Sequence, residues 1–324
     1  MKKILLTGGA GYIGSKISYD LTDQGYEIVV ADNLSTGFKK LLNKKAIFYK
    51  IDIGNKVDLE TLFKKNKIDT VVHLAASLSV EESMKNPLKY YLNNVVNTKN
   101  LLEVCGKNKI KKFIFSSTCA VYGEGIKKVK FKDTPNPTSH YGLTKFLCEK
   151  LIKSYSKKYD FKYFILRYFN VVGADDRLRV GPINQSGQLF KNLATNILKK
   201  KFSLNIYGKK YQTRDGTCIR DYIDLNDLST IHINCIKTPL IKKSMSINCG
   251  YGKGYSVLEI VKAFEKVIGK KILKIYKKPR KGDVSEIVCV PSKLYELKRL
   301  YSNRFNLNKS VESSLKWEIK NNKT

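Results

Sequence analysis

Short, continuous apolar runs alternate with longer amphipathic stretches through the first half of the chain, and few folds accept that order. Ile4–Leu6, Ile28–Val30, Ile47–Tyr49, Val71–Leu74, Phe113–Phe115 and Phe164–Leu166 are unbroken, as strands covered on both faces must be. Helical patterns lie between them, near Tyr12–Gln24, Val57–Lys65, Pro87–Lys107 and Ser139–Tyr159. Right-handed crossovers turn this alternation into a doubly wound parallel sheet, an α/β fold. The second half is less regular. It predicts helices near Gln188–Lys200, Asn226–Ile236, Ser256–Val267 and Ser310–Lys320, with strands near Met245–Asn248 and Ile272–Tyr276. The expected organisation is a first domain over 1–169 and a second, smaller, partly interleaved α/β domain over 170–324.

Composition narrows the function classes. The 324 residues are 42% hydrophobic and 11% aromatic, which supports one or two sizeable cores and excludes a disordered polycation, a fibre or a small disulfide scaffold. Lys+Arg number 61 against 28 Asp+Glu, a net +33 that invites a nucleic-acid reading. Only eight of the 61 are arginines, the first being Arg167. Phosphate forks and base readout favour Arg, whereas Lys is a hydrated point charge suited to plain surface. The excess therefore reads as a solvated lysine surface, with no nucleic-acid partner expected. Seven cysteines form an odd set without a CxxC pair, so neither a metal site nor a bridge framework is expected. No run approaches the roughly 18 apolar residues of a membrane span. Met1-Lys2-Lys3 is followed by only three apolar residues, too few for a signal peptide. A reducing cytoplasm is the expected location.

Thr7-Gly8-Gly9-Ala10-Gly11-Tyr12-Ile13-Gly14 follows the first strand and opens a helix. Gly8 permits a tight turn, Gly11 lets backbone approach a pyrophosphate, and Gly14 lets helix and strand pack closely, so the helix N-terminus faces an anion. The spacing is GxxGxxG rather than GxGxxG. Its context, with Asp32 at the end of the next strand, points to a dinucleotide-binding (Rossmann) unit. A carboxylate at Asp32 accepts from a ribose diol and repels a 2′-phosphate, which favours NAD over NADP. Asp52-Ile53, placed at the end of the third strand, suits the adenine. Tyr141 and Lys145 stand four apart, on one helix face. An ammonium beside a phenol favours phenolate and lowers its pKa from about 10, which is what a base for an alcohol proton needs. Ser116-Ser117-Thr118 ends the fifth strand, at the sheet edge where such folds bind ligands, and the Thr118 hydroxyl is placed to pass the proton or hold the substrate oxygen.

These segments, with Asp32-Asn33, His73-Leu74-Ala75-Ala76, Ser116–Gly123, Leu166–Gly173 and Asp215–Tyr222, resemble the extended short-chain dehydrogenase/reductases, and within them the UDP-hexose 4-epimerases. The resemblance runs from Met1 to about Lys298. It implies Tyr141 as base, Lys145 as its partner and Thr118 beside it. It implies Gly8, Gly11, Tyr12, Ile13, Gly14, Asp32, Asn33, Asp52, Ile53, Leu74, Ala75, Ala76, Asn93, Ser116 and Phe169, with Tyr141 and Lys145, around NAD. A UDP-sugar is implied at Asn170, Leu189, Tyr207, Arg220, Arg280 and Asp283, in addition to Thr118 and Tyr141. Two Arg on a diphosphate suit charge-assisted bidentate bonds. A homodimer through Pro87–Lys107 and Ser139–Tyr159 is implied by the same analogy.

Several positions depart from the family pattern. His140 replaces the usual Pro and is expected as a satisfied loop histidine. The Arg-Arg-x-Gly-Asp segment is thinned to Pro279-Arg280-Lys281-Gly282-Asp283, and Val290 replaces an Asp. Ile287 stands where a larger residue restricts room beside the sugar's 2-substituent, so N-acetylated UDP-sugars are a further expected substrate class. Dehydration needs acids at Cys119 and Ala120, and neither residue is one. A non-catalytic NAD-binding protein would lack Tyr141 or Lys145, and both are present.

Overall fold

The computed structural model describes residues 3–183, 188–241, 244–280, 283–290 and 306–322. In chain order its elements begin with β1 (Lys3–Thr7), α1 (Tyr12–Asp23), β2 (Glu27–Ala31), β3 (Ile47–Tyr49), α2 (Lys56–Lys65) and β4 (Ile68–His73). There follow α3 (Val80–Lys85), α4 (Pro87–Tyr90), a π-helical turn (Tyr91–Val96), α5 (Asn97–Lys107), β5 (Lys112–Thr118), a 3₁₀ turn (Cys119–Tyr122), β6 (Lys128–Val129) and α6 (His140–Tyr159). Next come β7 (Lys162–Tyr168), β8 (Asn170–Val172), α7 (Leu189–Leu198), β9 (Ser203–Tyr207), β10 (Ile219–Asp224), α8 (Leu225–Lys237) and β11 (Met245–Cys249). The chain closes with β12 (Gly254–Ser256), α9 (Val257–Ile268), β13 (Leu273–Lys277), β14 (Glu286–Cys289) and α10 (Leu307–Asn321).

The chain divides into two compact units. The first takes Met1–Gly123, Thr134–Arg167 and Ser229–Ile247, and the second takes Glu124–Asp133, Tyr168–Leu228 and Asn248–Thr324. Unit 1 is built on a seven-stranded sheet of order β11-β7-β5-β4-β1-β2-β3. The pairs β1–β2, β1–β4, β2–β3 and β4–β5 are all parallel. This is the doubly wound order expected. The chain winds outward from β1 to β3, then returns to start again at β4, so a crevice opens at the C-terminal ends of β1 and β4. The apolar strands explain themselves: Leu5, Val29, Val71, Phe113 and Ile165 are buried in one core with Leu59, Leu62, Leu101, Leu102 and Ile152 from the helices.

Unit 2 holds a sheet of order β12-β10-β14-β6, with β8 beside β10, and a parallel pair β13–β9. Its core joins Phe190, Leu193, Tyr222, Ile260, Phe264 and Val311. Most of its strands are short and carry polar residues, as in Ile219-Arg220-Asp221-Tyr222, and apolar-run reading passes over them. Asp52 and Ile53 differ from expectation too, because β3 stops at Tyr49 and both residues lie in the turn beyond it.

His73, the last residue of β4, ties this frame together. Its ring nitrogens lie 2.7 Å from Thr7 Oγ1 and 2.8 Å from Thr98 Oγ1, linking β4 to β1 and α5. Burial, with the Lys145 charge adding to it, lowers its pKa to about 3, so the ring is neutral. That value lies below the unfolded one of about 6.5. The folded state thus refuses a proton that the unfolded chain accepts. Its contribution is complete above pH about 6.5 and is lost as pH falls towards 3, at up to about 1.4 kcal/mol per pH unit. Urea titrations at stepped pH are expected to show this slope, and His73→Gln to flatten it by one proton's worth.

Candidate active site

The glycine loop closes over the end of β1 with almost no spare volume. Gly8 has φ +71°, and a Cβ on it would lie 2.7 Å from the Ala75 nitrogen, so only glycine lets the β1 loop meet the β4 loop there. A Cβ on Gly14 would sit 2.4 Å from the Gly8 carbonyl oxygen, and one on Gly11 3.3 Å from the same oxygen. Gly9, which sequence reasoning left without a role, is as tight, because its Cβ would lie 2.7 Å from Val30 Cγ1. Gly11 caps α1 without a side-chain hydrogen bond, and no acid stands in the first turn. Tyr12, Ile13 and Gly14 form that turn, the positive end of the helix dipole, which favours an anion.

Asp32 is buried and doubly held. Its carboxylate accepts from Ala10 N at 2.9 Å and Leu34 N at 2.8 Å. Asn33 donates to Asp52 at 2.9 Å, and Gly54 N donates to Asp52 at 2.7 Å, so Asn33 and Asp52 form one exposed pair with Ile53 buried beneath. Leu74, Ala75 and Ala76 continue from β4 as a half-buried loop. Asn93 donates to Ser77 Oγ at 3.0 Å. The next residue, Asn94, was missed by sequence reasoning and makes the stronger anchor. Its side chain takes Ser77 N at 2.8 Å and donates to Ser77 O at 3.1 Å and to Thr144 at 3.1 Å. A π-helical turn at Tyr91–Val96 brings both Asn side chains onto this loop, and such turns occur mostly where function needs a re-aimed side chain.

The opposite side of the crevice is made by β5 and α6. Lys145 is fully buried and donates to the Ser116 carbonyl at 2.7 Å, with its Nζ 4.7 Å from the Phe115 ring centroid. Burial lowers its pKa to about 8, against the opposing pull of Cys148 and Glu149. Ser139 caps α6 by accepting from Gly142 N at 3.1 Å. Gly142 packs on the Ala120 carbonyl so closely that a Cβ would lie 2.4 Å from it. This contact sets the start of the helix against the 3₁₀ turn after Thr118, and it brings the Tyr141 phenol beside the Thr118 hydroxyl. Burial pushes the phenol above its ordinary value, with Thr118 pulling the other way. That differs from the expected lowering by Lys145: in the protein alone, desolvation outweighs a helical four-residue spacing. His140 opens α6 and is not a loop histidine.

In unit 2, Arg220 lies on β10 opposite Ile287 of β14, and Ile287 is buried. Arg220 is 3.8 Å from Asp283. The Arg280 guanidinium lies 3.9 Å from the Tyr207 ring centroid. Asn170 is exposed at the start of β8, Leu189 starts α7, and Phe169 is buried with its N–H on Cys249 O at 3.1 Å. Lys281 and Gly282 lie outside the described residues. Asp221 was passed over and is the anchor of this sheet. It accepts from Tyr251 N at 3.1 Å, Gly252 N at 2.8 Å and Cys289 N at 3.1 Å, while burial raises its pKa to about 6. Among the described residues no group of three or more His, Cys, Asp or Glu is placed to hold a metal ion, and no helix is long and apolar enough to cross a membrane.

Known proteins share this construction. A family model described as the NAD dependent epimerase/dehydratase family matches residues 4–250. A UDP-glucose 4-epimerase of Azospirillum brasilense is 36% identical over 321 residues, covering 98% of this chain and 92% of that one. A solved UDP-glucose 4-epimerase matches with a TM-score of 0.92 at 37% identity over 98% of both chains. Another, from Brucella ovis in complex with NAD, matches with a TM-score of 0.91 at 33% identity over 98% of both chains.

The glycine cradle makes a direct prediction. Gly14→Ala places a methyl group against a backbone oxygen that cannot swing away, and is expected to destabilise unit 1 by about 1–3 kcal/mol. Denaturant unfolding checks this, with Gly25→Ala, where a Cβ would meet nothing within 4 Å but φ is +82°, as a control for backbone strain without crowding.

Proposed function

Since the chain belongs to the NAD dependent epimerase/dehydratase family, we propose that it is an NAD-dependent UDP-hexose 4-epimerase that interconverts UDP-glucose and UDP-galactose through a transient 4-keto sugar. The observation that carries the reading is Tyr141 beside Thr118 with the buried Lys145 bound to the Ser116 carbonyl, at the sheet edge that also bears the glycine cradle.

The cradle fits a dinucleotide, since glycines keep it open and Gly11 caps α1 without a side-chain hydrogen bond. Gly8, Gly11, Tyr12, Ile13 and Gly14 would hold the pyrophosphate. Asp32 and Asn33 would take the adenosine ribose, and Asp52 and Ile53 the adenine. Leu74, Ala75, Ala76, Asn93, Ser116 and Phe169, with Tyr141 and Lys145, would line the nicotinamide end. When bound, NAD supplies a hydride acceptor and then donor for carbon 4 of the sugar.

The protein's own part is proton transfer and orientation. Tyr141, as a phenolate stabilised by the Lys145 ammonium, takes the 4-hydroxyl proton through or alongside Thr118 and becomes the neutral phenol. After the keto sugar has turned over, carbon 4 takes the hydride back on its other face and the Tyr141 phenol returns the proton to the oxygen, which completes the inversion. Arg220 and Arg280 are assigned to the diphosphate, Tyr207 to the base, and Asn170, Leu189 and Asp283 to the remaining contacts. A dehydratase is disfavoured because Cys119 and Ala120 cannot protonate a leaving water. Ile287 favours a second substrate class: a medium aliphatic side chain there leaves more room beside the sugar's 2-substituent than a large aromatic does, so UDP-N-acetylhexoses are proposed as additional substrates. Single pocket contacts are worth only about 1–3 kcal/mol, which favours dual use over exclusivity.

Leu88 (67% exposed), Tyr91, Leu92 and Leu143 lie exposed on α4, the π-helical turn and α6, and support a homodimer through these helices. Seven thiols with no disulfide suit a reducing cytoplasm, where galactose metabolism would use the enzyme. Nucleic acid and membranes are not among its proposed partners. Assay of UDP-galactose and UDP-N-acetylgalactosamine side by side tests the function. Tyr141→Phe is expected to lose about 10²–10⁴-fold in kcat with bound NAD retained. Wild-type inactivity on both sugars, or full activity of Tyr141→Phe, would sink the assignment.

A further inference from the structure

Glu149 and Arg167 form a buried ion pair directly behind the Thr118–Tyr141–Lys145 group, and no role in the reaction falls to either by the reading above. Glu149 is 0% exposed and Arg167 3%. Arg167 donates from Nε to Glu149 at 2.9 Å and from Nη2 at 2.6 Å, a fork on one carboxylate. Its Nη1 donates to the Tyr122 hydroxyl at 2.8 Å, and its guanidinium lies 4.9 Å from the Tyr122 ring centroid. Ser117 Oγ donates to Glu149 at 2.6 Å.

The connections matter more than the pair. Ser117 precedes Thr118, and Tyr122 ends the 3₁₀ turn that Thr118 starts, so both flanks of Thr118 are fastened to one ion pair. Glu149 lies one helical turn beyond Lys145, whose Nζ is bound to the Ser116 carbonyl. Successive turns of α6 are therefore docked on successive residues at the end of β5. Arg167, from β7, closes the set. The groups around Glu149 are Arg167 and Tyr163 on β7, Ser117, Tyr122 through Arg167, and on its own helix Lys145 and Cys148.

A buried ion pair seldom out-stabilises apolar residues of the same volume, because desolvation offsets the attraction. What it supplies is direction: a fork with fixed angles, where an apolar contact would slide. We propose that Glu149 and Arg167 are positioning residues for the epimerisation, and that through Ser117 and Tyr122 they hold Thr118 and Lys145 in register with Tyr141. This rests on the proposed function. Reacting groups displaced by about 1 Å lose as much as about 10²-fold in rate.

The test uses purified full-length protein with its bound NAD and UDP-galactose as substrate. Ser117→Ala and Tyr122→Phe each remove one hydroxyl from the frame and leave no charge unpaired, while Glu149→Gln keeps the volume and removes the charge. All three are expected to lower kcat by about 10- to 100-fold, with KM for UDP-galactose within about twofold of wild type and bound NAD unchanged. Glu149→Gln is also expected to move the alkaline limb of the pH–rate profile to lower pH, since Lys145 loses the anion that raises its pKa. A merely structural role would lower the thermal midpoint and leave kcat per folded molecule and the pH profile where they were, and that result overturns the proposal. Should Glu149→Gln not fold, the two hydroxyl variants decide by the same criterion. A wild type inert on UDP-sugars would contradict the proposed function, whereas an active wild type with unimpaired variants would contradict only the positioning role.

Discussion

Lys145 donates to the carbonyl oxygen of Ser116 at 2.7 Å, in a place that solvent does not reach. Taking an ammonium there is unfavourable, as its lowered pKa of about 8 records, and the surroundings must offset that. They do so with a strand-end carbonyl, a ring face from Phe115 and the anion of Glu149. One consequence is that α6 has a single way to lie on the sheet. Another is that Tyr141, at the start of that helix, is aimed by the strand edge itself, because Gly142 closes on Ala120 with no room for a side chain. A site carried on a strand end and a helix start is held more closely than one carried on loops.

Set beside this, the net charge of +33 carries little functional information. Among the described residues only Lys16, Lys112, Lys145 and Lys191 are buried. Lys112 holds carbonyls at the end of α8, the nearer being that of Ile236 and the other Thr238 at 2.5 Å. Lys16 and Lys191 are paired with Asp20 and Glu318. Lys145 alone of the four lies beside a Tyr–Thr pair at the sheet's C-terminal edge. The position of a charge, and not the sum of charges, separates a reacting group from a structural one.

The legible parts of the chain were those whose signal is local. Ile4–Leu6 and Ile28–Val30 read as buried strands because strands covered on both faces are apolar throughout, and the glycines read as a cradle because their spacing matches one helix entry. Tyr141 and Lys145 share a helix face by arithmetic alone. Other features depend on partners far along the chain. Glu149 looks like an ordinary helix-surface acid until Arg167, 18 residues on, covers it. Pro87–Lys107 reads as one helix, yet a π-helical turn interrupts it, and such a turn has no compositional mark. The strand at Ile219–Asp224 carries two acids and an arginine, so its apolar pattern is broken where Asp221 anchors its neighbours. The phenol's pKa went astray for the same reason, since burial is a tertiary property that residue spacing does not report.

The proposed reaction inverts carbon 4 by removal and return of the same hydrogen. UDP-galactose deuterated at carbon 4, incubated with the purified protein in ordinary water and followed by proton and deuterium NMR, tests this directly. The prediction is UDP-glucose that keeps its deuterium at carbon 4, with no exchange into solvent. Product carrying a solvent hydrogen at that carbon, or no conversion at all, would contradict it.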